Sequence, residues 1–347
     1  MNIFDKVLFI GPDIDAKGGI ASVLKSYKEH LPAFHYLKSN SRHGTIPGLF
    51  SLLWVFISLP FIRLFTCRSI LHIHVATGKS FIRKSWIISW GRILGYKIIF
   101  HSHSGKCIEY FRKVGLSKIK RTIDKCNHIV VLSDAWKEYF RNTFGYTNIT
   151  IINNIVSPAI SFPNKNRNII ELLFLGLIKK DKGIFDLIEV IGQNKNIFKG
   201  KIHLTIGGVG DREQLEAIIS DLGIIDMIDF VGWVSGETKN RLIHDCDIVI
   251  LPSYIEGLPI TLLEAMAYGK ATISTNVGGI PSIVHNGFNG FIIEPGDKGA
   301  LFSAIRHYIE TPSDLLTHGK NGLQIVKSFY PDEVCKQLET LYDNLNI

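Results

Sequence analysis

Short runs rich in valine, isoleucine and leucine alternate with longer stretches of helical periodicity along most of this chain. Runs at 7–10, 69–75, 97–101, 128–132 and 149–152 read as buried strands; a loop over 11–19 and a helix over 20–30 follow the first. A second series begins at 170–176 and continues at 201–206, 228–231, 247–252, 271–275 and 290–293. Parallel strands need long crossovers, usually helical, so this alternation predicts parallel sheets covered by helices. Between the two series, 157–168 (SPAISFPNKNRN) carries two prolines and several polar residues and reads as a linker. The pattern predicts an α/β protein with two Rossmann-like domains, 1–160 and 161–328, whose parallel sheets face a central cleft. The tail 329–347, helical from about 332 to 345, is expected to pack back on the first domain.

One segment departs from the alternation. The run 49–62, LFSLLWVFISLPFI, is uncharged for fourteen residues and ends near Pro60 and Arg63. A membrane-spanning helix needs about 20 apolar residues. Proline also sits badly inside a helix. A buried helix is the first reading of the run, and a helix lying on a membrane surface is the second.

With 347 residues, 46% of them hydrophobic and 20% charged, the chain can bury a sizeable core in two domains. A net charge of +8 suits an anionic partner, such as a nucleotide diphosphate, acidic lipid or nucleic acid. The positive charge is not gathered in one tract, which argues against nucleic acid. The five cysteines are scattered, odd in number and lack a CxxC pair, so neither a disulfide framework nor a zinc ribbon is expected. The opening residues read as strand and loop without the features of a signal peptide, and a cytoplasmic location is expected.

The richest stretch is 247–269, DIVILPSYIEGLPITLLEAMAYG. A buried strand gives way to a loop holding Glu256, Gly257 and Leu258. Pro259 then stands as the first residue of a helix that includes Ile260 and ends near Gly269. A helix start at the carboxyl end of a parallel strand offers free amides and a positive dipole end to phosphate. Glu256 and Glu264 have seven residues between them, and carboxylates accept hydrogen bonds from paired sugar hydroxyls. Gly18 and Gly19 open the first helix, where glycine lets a phosphate approach the backbone closely. His101 and His103 lie at the end of a strand, and His72 and His74 share one face of another. Two H-x-H pairs invite a metal, but no carboxylate or cysteine is near in sequence, and the two strands need not meet. The run GGVGD at 207–211 lacks the spaced third glycine of a dehydrogenase fingerprint.

The E-x7-E arrangement from Glu256 to Glu264, followed by AMAYGK and NVGGIPSIV, resembles glycosyltransferase family 4. The likeness spans nearly the whole second half and, more loosely, the first. It implies the GT-B architecture, a nucleotide-sugar donor and retention of anomeric configuration, with no metal or other cofactor. It also implies that Glu264 binds the donor ribose and that Glu256 stands beside the transferred sugar. The amides of Gly257, Leu258, Pro259 and Ile260 would lie along the sugar and phosphate, although Pro259 has no N–H to give. By the same resemblance Gly18 and Gly19 close over the diphosphate, Gly208 lies near the base and phosphates, and His101 lies near the donor sugar. FLGLIKKDKG resembles the family's phosphate loop: Lys182 falls on its lysine, but Leu177 stands where arginine is usual. Lys179 or Lys180 would supply the missing charge.

The expected reaction is transfer from a UDP- or GDP-sugar to a glycan or polyprenyl-diphosphate-linked acceptor in surface-polysaccharide synthesis. The first domain would meet the acceptor, and basic residues around its apolar runs suit peripheral contact with an anionic membrane. A GT-B nucleotide-sugar 2-epimerase and a degenerate nucleotide-binding scaffold are the competing readings.

Overall fold

The computed structural model describes residues 2–103, 105–161 and 169–346. The chain forms two compact units: Met1–Ile155 together with Ser328–Ile347, and Val156–Lys327.

In the first unit the elements run β1 (Val7–Gly11), α1 (Gly19–His30), β2 (His35–Lys38), α2 (Thr45–Phe65), β3 (Ile70–Val75) and α3 (Lys79–Ile93). They continue with β4 (Lys97–Ser102), α4 (Cys107–Val114), α5 (Leu116–Ile123), β5 (His128–Val131), α6 (Asp134–Phe144) and β6 (Ile149–Ile151). All six strands are parallel, in the order β2-β1-β3-β4-β5-β6. β1 and β3 are buried along their whole length; β1 is an unbroken apolar run, whereas β3 buries two histidines among its apolar residues. β2 escaped the sequence pattern because it is a four-residue edge strand, HYLK, with no fully buried position.

The apolar run proves to be part of a 21-residue helix, α2, and Pro60 lies inside it. Proline has no N–H to give the carbonyl four residues back, at Phe56. The Trp90 indole N–H takes that place at 3.1 Å, and the Tyr96 hydroxyl donates to the Leu59 carbonyl at 2.8 Å. These two donors let the helix continue through its proline. The expectation of a buried helix is right for one face only. Gly48, Leu52, Val55 and Leu59 are buried, while Leu49, Phe50, Leu53, Trp54, Ile57 and Phe61 are exposed.

The second unit contains β7 (Ile170–Leu175), α7 (Ile184–Gln193), α8 (Lys195–Phe198), β8 (Ile202–Gly207), α9 (Arg212–Leu222) and β9 (Ile228–Gly232). It continues with α10 (Gly236–Asp245), β10 (Ile248–Leu251), α11 (Ile260–Ala267), β11 (Ala271–Thr275), β12 (Gly290–Ile293), α12 (Lys298–Glu310) and α13 (Ser313–Val326). Its parallel sheet has the order β12-β11-β10-β7-β8-β9. The winding direction reverses between β7 and β10. In sheets of this kind ligands bind beyond the carboxyl ends of the strands at that reversal.

The linker read at 157–168 is exposed and without regular structure over 157–161; its remainder, 162–168, lies outside the described residues. The last helix, α14 (Pro331–Asn346), belongs to the first unit, where the Tyr342 ring meets Phe4 edge-on at 5.5 Å.

Candidate functional site

The loops after β7 and β10 meet at the point of reversal. After β7 the chain makes a short 3-10 turn over Lys180–Lys182, closed by Gly183 with φ +67°. After β10, Ser253 and Glu256 follow Pro252. The Lys182 ammonium donates to Glu256 Oε1 at 2.6 Å, and the Ser253 hydroxyl donates to the same oxygen at 2.8 Å. Both charged side chains are mostly buried, 22% exposed for Lys182 and 11% for Glu256. A second tie joins these loops: the Tyr254 amide donates to the Asp181 carbonyl at 2.9 Å. A cation and a carboxylate held together beside a strand end can bind a phosphate and a sugar hydroxyl respectively.

The next helix, α11, starts at Ile260. Pro259 caps it in an extended conformation (φ −72°, ψ 119°), so it is the cap and not the first helical residue that the sequence suggested. Leu258 and Gly257 are buried beneath this turn. Glu264 stands in the second turn of α11 and forms an ion pair with Lys239 of α10. Sequence reading flagged Glu264 but missed Lys239. One exposed-looking lysine in GETKNRLIHD has no spacing that marks it.

Glycines hold the four loops against one another. A β-carbon on Gly183 would stand 1.9 Å from the Pro252 carbonyl oxygen, and one on Gly208 would stand 1.9 Å from that of Gly176. The loop after β11 braces the Glu256 loop in the same way. There Gly278 has φ +58°, a β-carbon on it would lie 2.1 Å from the Glu256 carbonyl oxygen, and the Gly279 amide donates to the Gly257 carbonyl at 2.6 Å. Gly208 is buried in this framework. Lys179 and Lys180 are exposed near the turn, and Leu177 is half-buried.

The remaining candidates lie in the first unit. Gly18 (φ +147°) caps α1, and a side chain on Gly18 or Gly19 would meet nothing within 4 Å, so the backbone there is open to a ligand. His101 has no exposed surface. β3 and β4 are neighbours with His74 opposite His101, so the argument that these strands need not meet is wrong. His72 hydrogen-bonds through Nδ1 with the Tyr342 hydroxyl at 2.7 Å and through Nε2 with His101 Nδ1 at 2.9 Å; His74 bonds His103 at 2.7 Å. Burial pushes His72 down to about 3, aided by the charges of His103 and His128, and pushes His74 and His101 well down.

His72, His74 and His101 place one nitrogen each within 4.8 Å of one another. Metal binding needs lone pairs that converge at about 2 Å from one point. Here the His72 and His74 rings stack at 4.9 Å with only 15° between their planes, so their in-plane lone pairs run side by side. The donor set fits a hydrogen-bonded core better than a metal centre.

Comparison with known proteins adds to this geometry. The family model of glycosyl transferases group 1 matches residues 158–343. An uncharacterized glycosyltransferase of Methanocaldococcus jannaschii is 35% identical over 131 residues, 38% of this chain and 33% of that protein. The amylovoran biosynthesis glycosyltransferase AmsK of Erwinia amylovora is 29% identical over 157 residues, 42% of this chain and 38% of that protein. The chain thus spans well under half the length of these curated relatives. Among solved structures, HepE of Anabaena in complex with UDP-glucose has a TM-score of 0.77 at 16% identity, covering 98% of this chain and 99% of that one. That likeness bears out the GT-B fold class expected from the sequence. On the match to more than half of its residues, the chain belongs to the glycosyl transferases group 1 family.

Proposed function

We propose that this protein is a retaining, metal-independent glycosyltransferase that moves a sugar from a UDP- or GDP-sugar to a glycan or lipid-linked acceptor during surface-polysaccharide synthesis. The observation that carries the reading is the Lys182–Glu256 pair at the reversal point of the second sheet, one loop away from the start of α11. In this reading the diphosphate displaces Glu256 as the partner of Lys182. The lysine and the amide end of α11 then stabilise the negative charge that grows as the sugar departs. Glu256, released from Lys182 but still bonded to Ser253, is free to hold sugar hydroxyls. Glu264, with Lys239 beside it, accepts from the ribose.

Retention follows if the acceptor hydroxyl attacks the face from which the diphosphate leaves, with a departing phosphate oxygen taking the acceptor proton. The C–O bond to phosphate breaks, the C–O bond to the acceptor forms, and the nucleoside diphosphate leaves. No nucleophilic carboxylate is needed. The UDP-glucose bound by HepE and the amylovoran role in the name of AmsK support the donor class and the pathway class.

The test is a panel of UDP- and GDP-sugars in EDTA, read first by thermal shift and then by NMR of the product's anomeric centre. Stabilisation by one base class and a product with the donor's anomeric configuration are expected. Inversion, a strict metal requirement, or interconversion of the sugar without transfer would each contradict the proposal.

A further inference from the structure

We propose that α2 and α3 form a docking face for an anionic lipid bilayer, entered from one side and not crossed. α2 is long and apolar enough to cross a membrane, with a mean hydropathy of 1.9. Its position in the fold forbids that role without unfolding the first unit. Val55 and Leu59 are fully buried, and the Trp90 and Tyr96 hydrogen bonds fix the helix backbone at Phe56 and Leu59. The opposite face is another matter. Phe50 is 68% exposed, Trp54 62%, Phe61 59% and Phe65 79%, at intervals that place them along one side of the helix. α3 packs against α2 and adds Ile82, Trp86 and Ile93, all exposed. Contiguous aromatic and aliphatic surface of this kind is uncommon on proteins that meet only water.

Charge identifies the occupant. Contrary to the expectation of an evenly spread charge, the stretch between Glu29 and Glu109 has no aspartate or glutamate and ten lysines and arginines. Lys79 and Arg92 of α3 are exposed on the helix that carries Ile82, Trp86 and Ile93, so cations accompany the apolar face, while Arg63 of α2 turns inward over the Tyr96 ring. A second copy of this chain docked on the same patch would oppose cations to cations, which is costly. An anionic lipid surface satisfies both features at once: apolar side chains sink about 5–10 Å into the headgroup boundary while basic groups stay at phosphate depth. Tryptophans at positions 54 and 86 suit that boundary, since an indole is apolar with one polar N–H.

This inference deepens the proposed transfer to a lipid-linked acceptor, but its test requires no turnover. Full-length protein is sedimented with vesicles of phosphatidylcholine alone and with vesicles containing phosphatidylglycerol, at low and high salt. Binding is expected only with phosphatidylglycerol, and a high-salt wash should release most of it. The doubly substituted protein Phe50→Ser/Trp54→Ser should bind at least about tenfold more weakly, because two large apolar groups no longer leave water. Both positions point outward, so circular dichroism and nucleotide-induced thermal stabilisation should be unchanged. Equal binding to neutral vesicles, unchanged binding of the double variant, or retention after the high-salt wash would overturn the proposal. So would a dimer that dissolves on Phe50→Ser/Trp54→Ser substitution while wild type ignores vesicles. Vesicle binding without sugar transfer would count against the proposed reaction alone; transfer without vesicle binding would count against this surface alone.

Discussion

Each of the two glutamates of the candidate site is held by a lysine from a different element, Glu256 by Lys182 and Glu264 by Lys239. For ion pairs as covered as these, the cost of taking both charges out of water offsets much of their attraction, so they are weak evidence for fold stability. In the proposed reaction their consequence is preparation: each carboxylate is already placed, and each lysine would change partner when phosphate arrives. The first unit shows the opposite case, a polar group kept neutral. His72 has no exposed surface, and burial holds its folded pKa down to about 3 against the ordinary 6.5. Below pH 6.5 the unfolded chain takes up a proton at this position and the folded chain does not, so stability is complete above 6.5 and is lost as pH falls toward 3. Between pH 7.5 and pH 5 this single residue should remove about 2 kcal/mol. Denaturant unfolding at the two pH values should show that loss for wild type and a smaller one for His72→Leu; stability that is flat or rises toward pH 5 would refute it. Of these residues, Glu256, Glu264 and Lys182 were legible in the sequence because the segments that carry them, E-x7-E and FLGLIKKDKG, resemble those of a known glycosyltransferase family. Lys239 was not, since a lysine on a polar helix looks like any solvated lysine.

At the scale of elements, the second unit's site is a knot of four loops whose backbones touch. Gly183, Gly208 and Gly278 each sit where a side chain would strike a neighbouring carbonyl. These contacts keep the loops after β7, β8, β10 and β11 in one arrangement. Gly278→Ala tests the knot. The new methyl would overlap the Glu256 carbonyl, and φ +58° would add about 1–3 kcal/mol of strain. Nucleoside diphosphate affinity should fall at least about tenfold and the melting temperature should drop by several degrees. Gly200→Ala serves as the control, with φ +73° but nothing within 4 Å; it should cost some stability and leave affinity untouched. Unchanged affinity in Gly278→Ala would show that the brace on Glu256 is dispensable. The strands themselves were readable because buried parallel strands are continuous apolar runs with turn residues at both ends. β2 lacks that signal as a short edge strand, and α2 hid its two faces because both are apolar, one turned to the core and one to the surroundings. Periodicity cannot separate two apolar faces; only packing can.

Across the molecule, chemistry is divided between the units. The first carries the acid-free stretch, the two-faced helix and the buried histidines. The second carries the paired acids and bases at a sheet reversal. Sequence alone gave this division in outline, through the switch of strand series near the linker and the motif around Glu256. It could not give the histidine cluster, which depends on β3 and β4 being neighbours in register. The central claim is that Lys182 exchanges Glu256 for the donor's diphosphate. Calorimetric titration of UDP and GDP in EDTA, into wild type and Lys182→Ala, tests it most directly. Wild type should bind one of the two nucleotides, and the variant should bind it about 10- to 100-fold more weakly, the loss of one charge-assisted hydrogen bond. Equal affinity in the two proteins, or no binding of either nucleotide to wild type, would contradict the account.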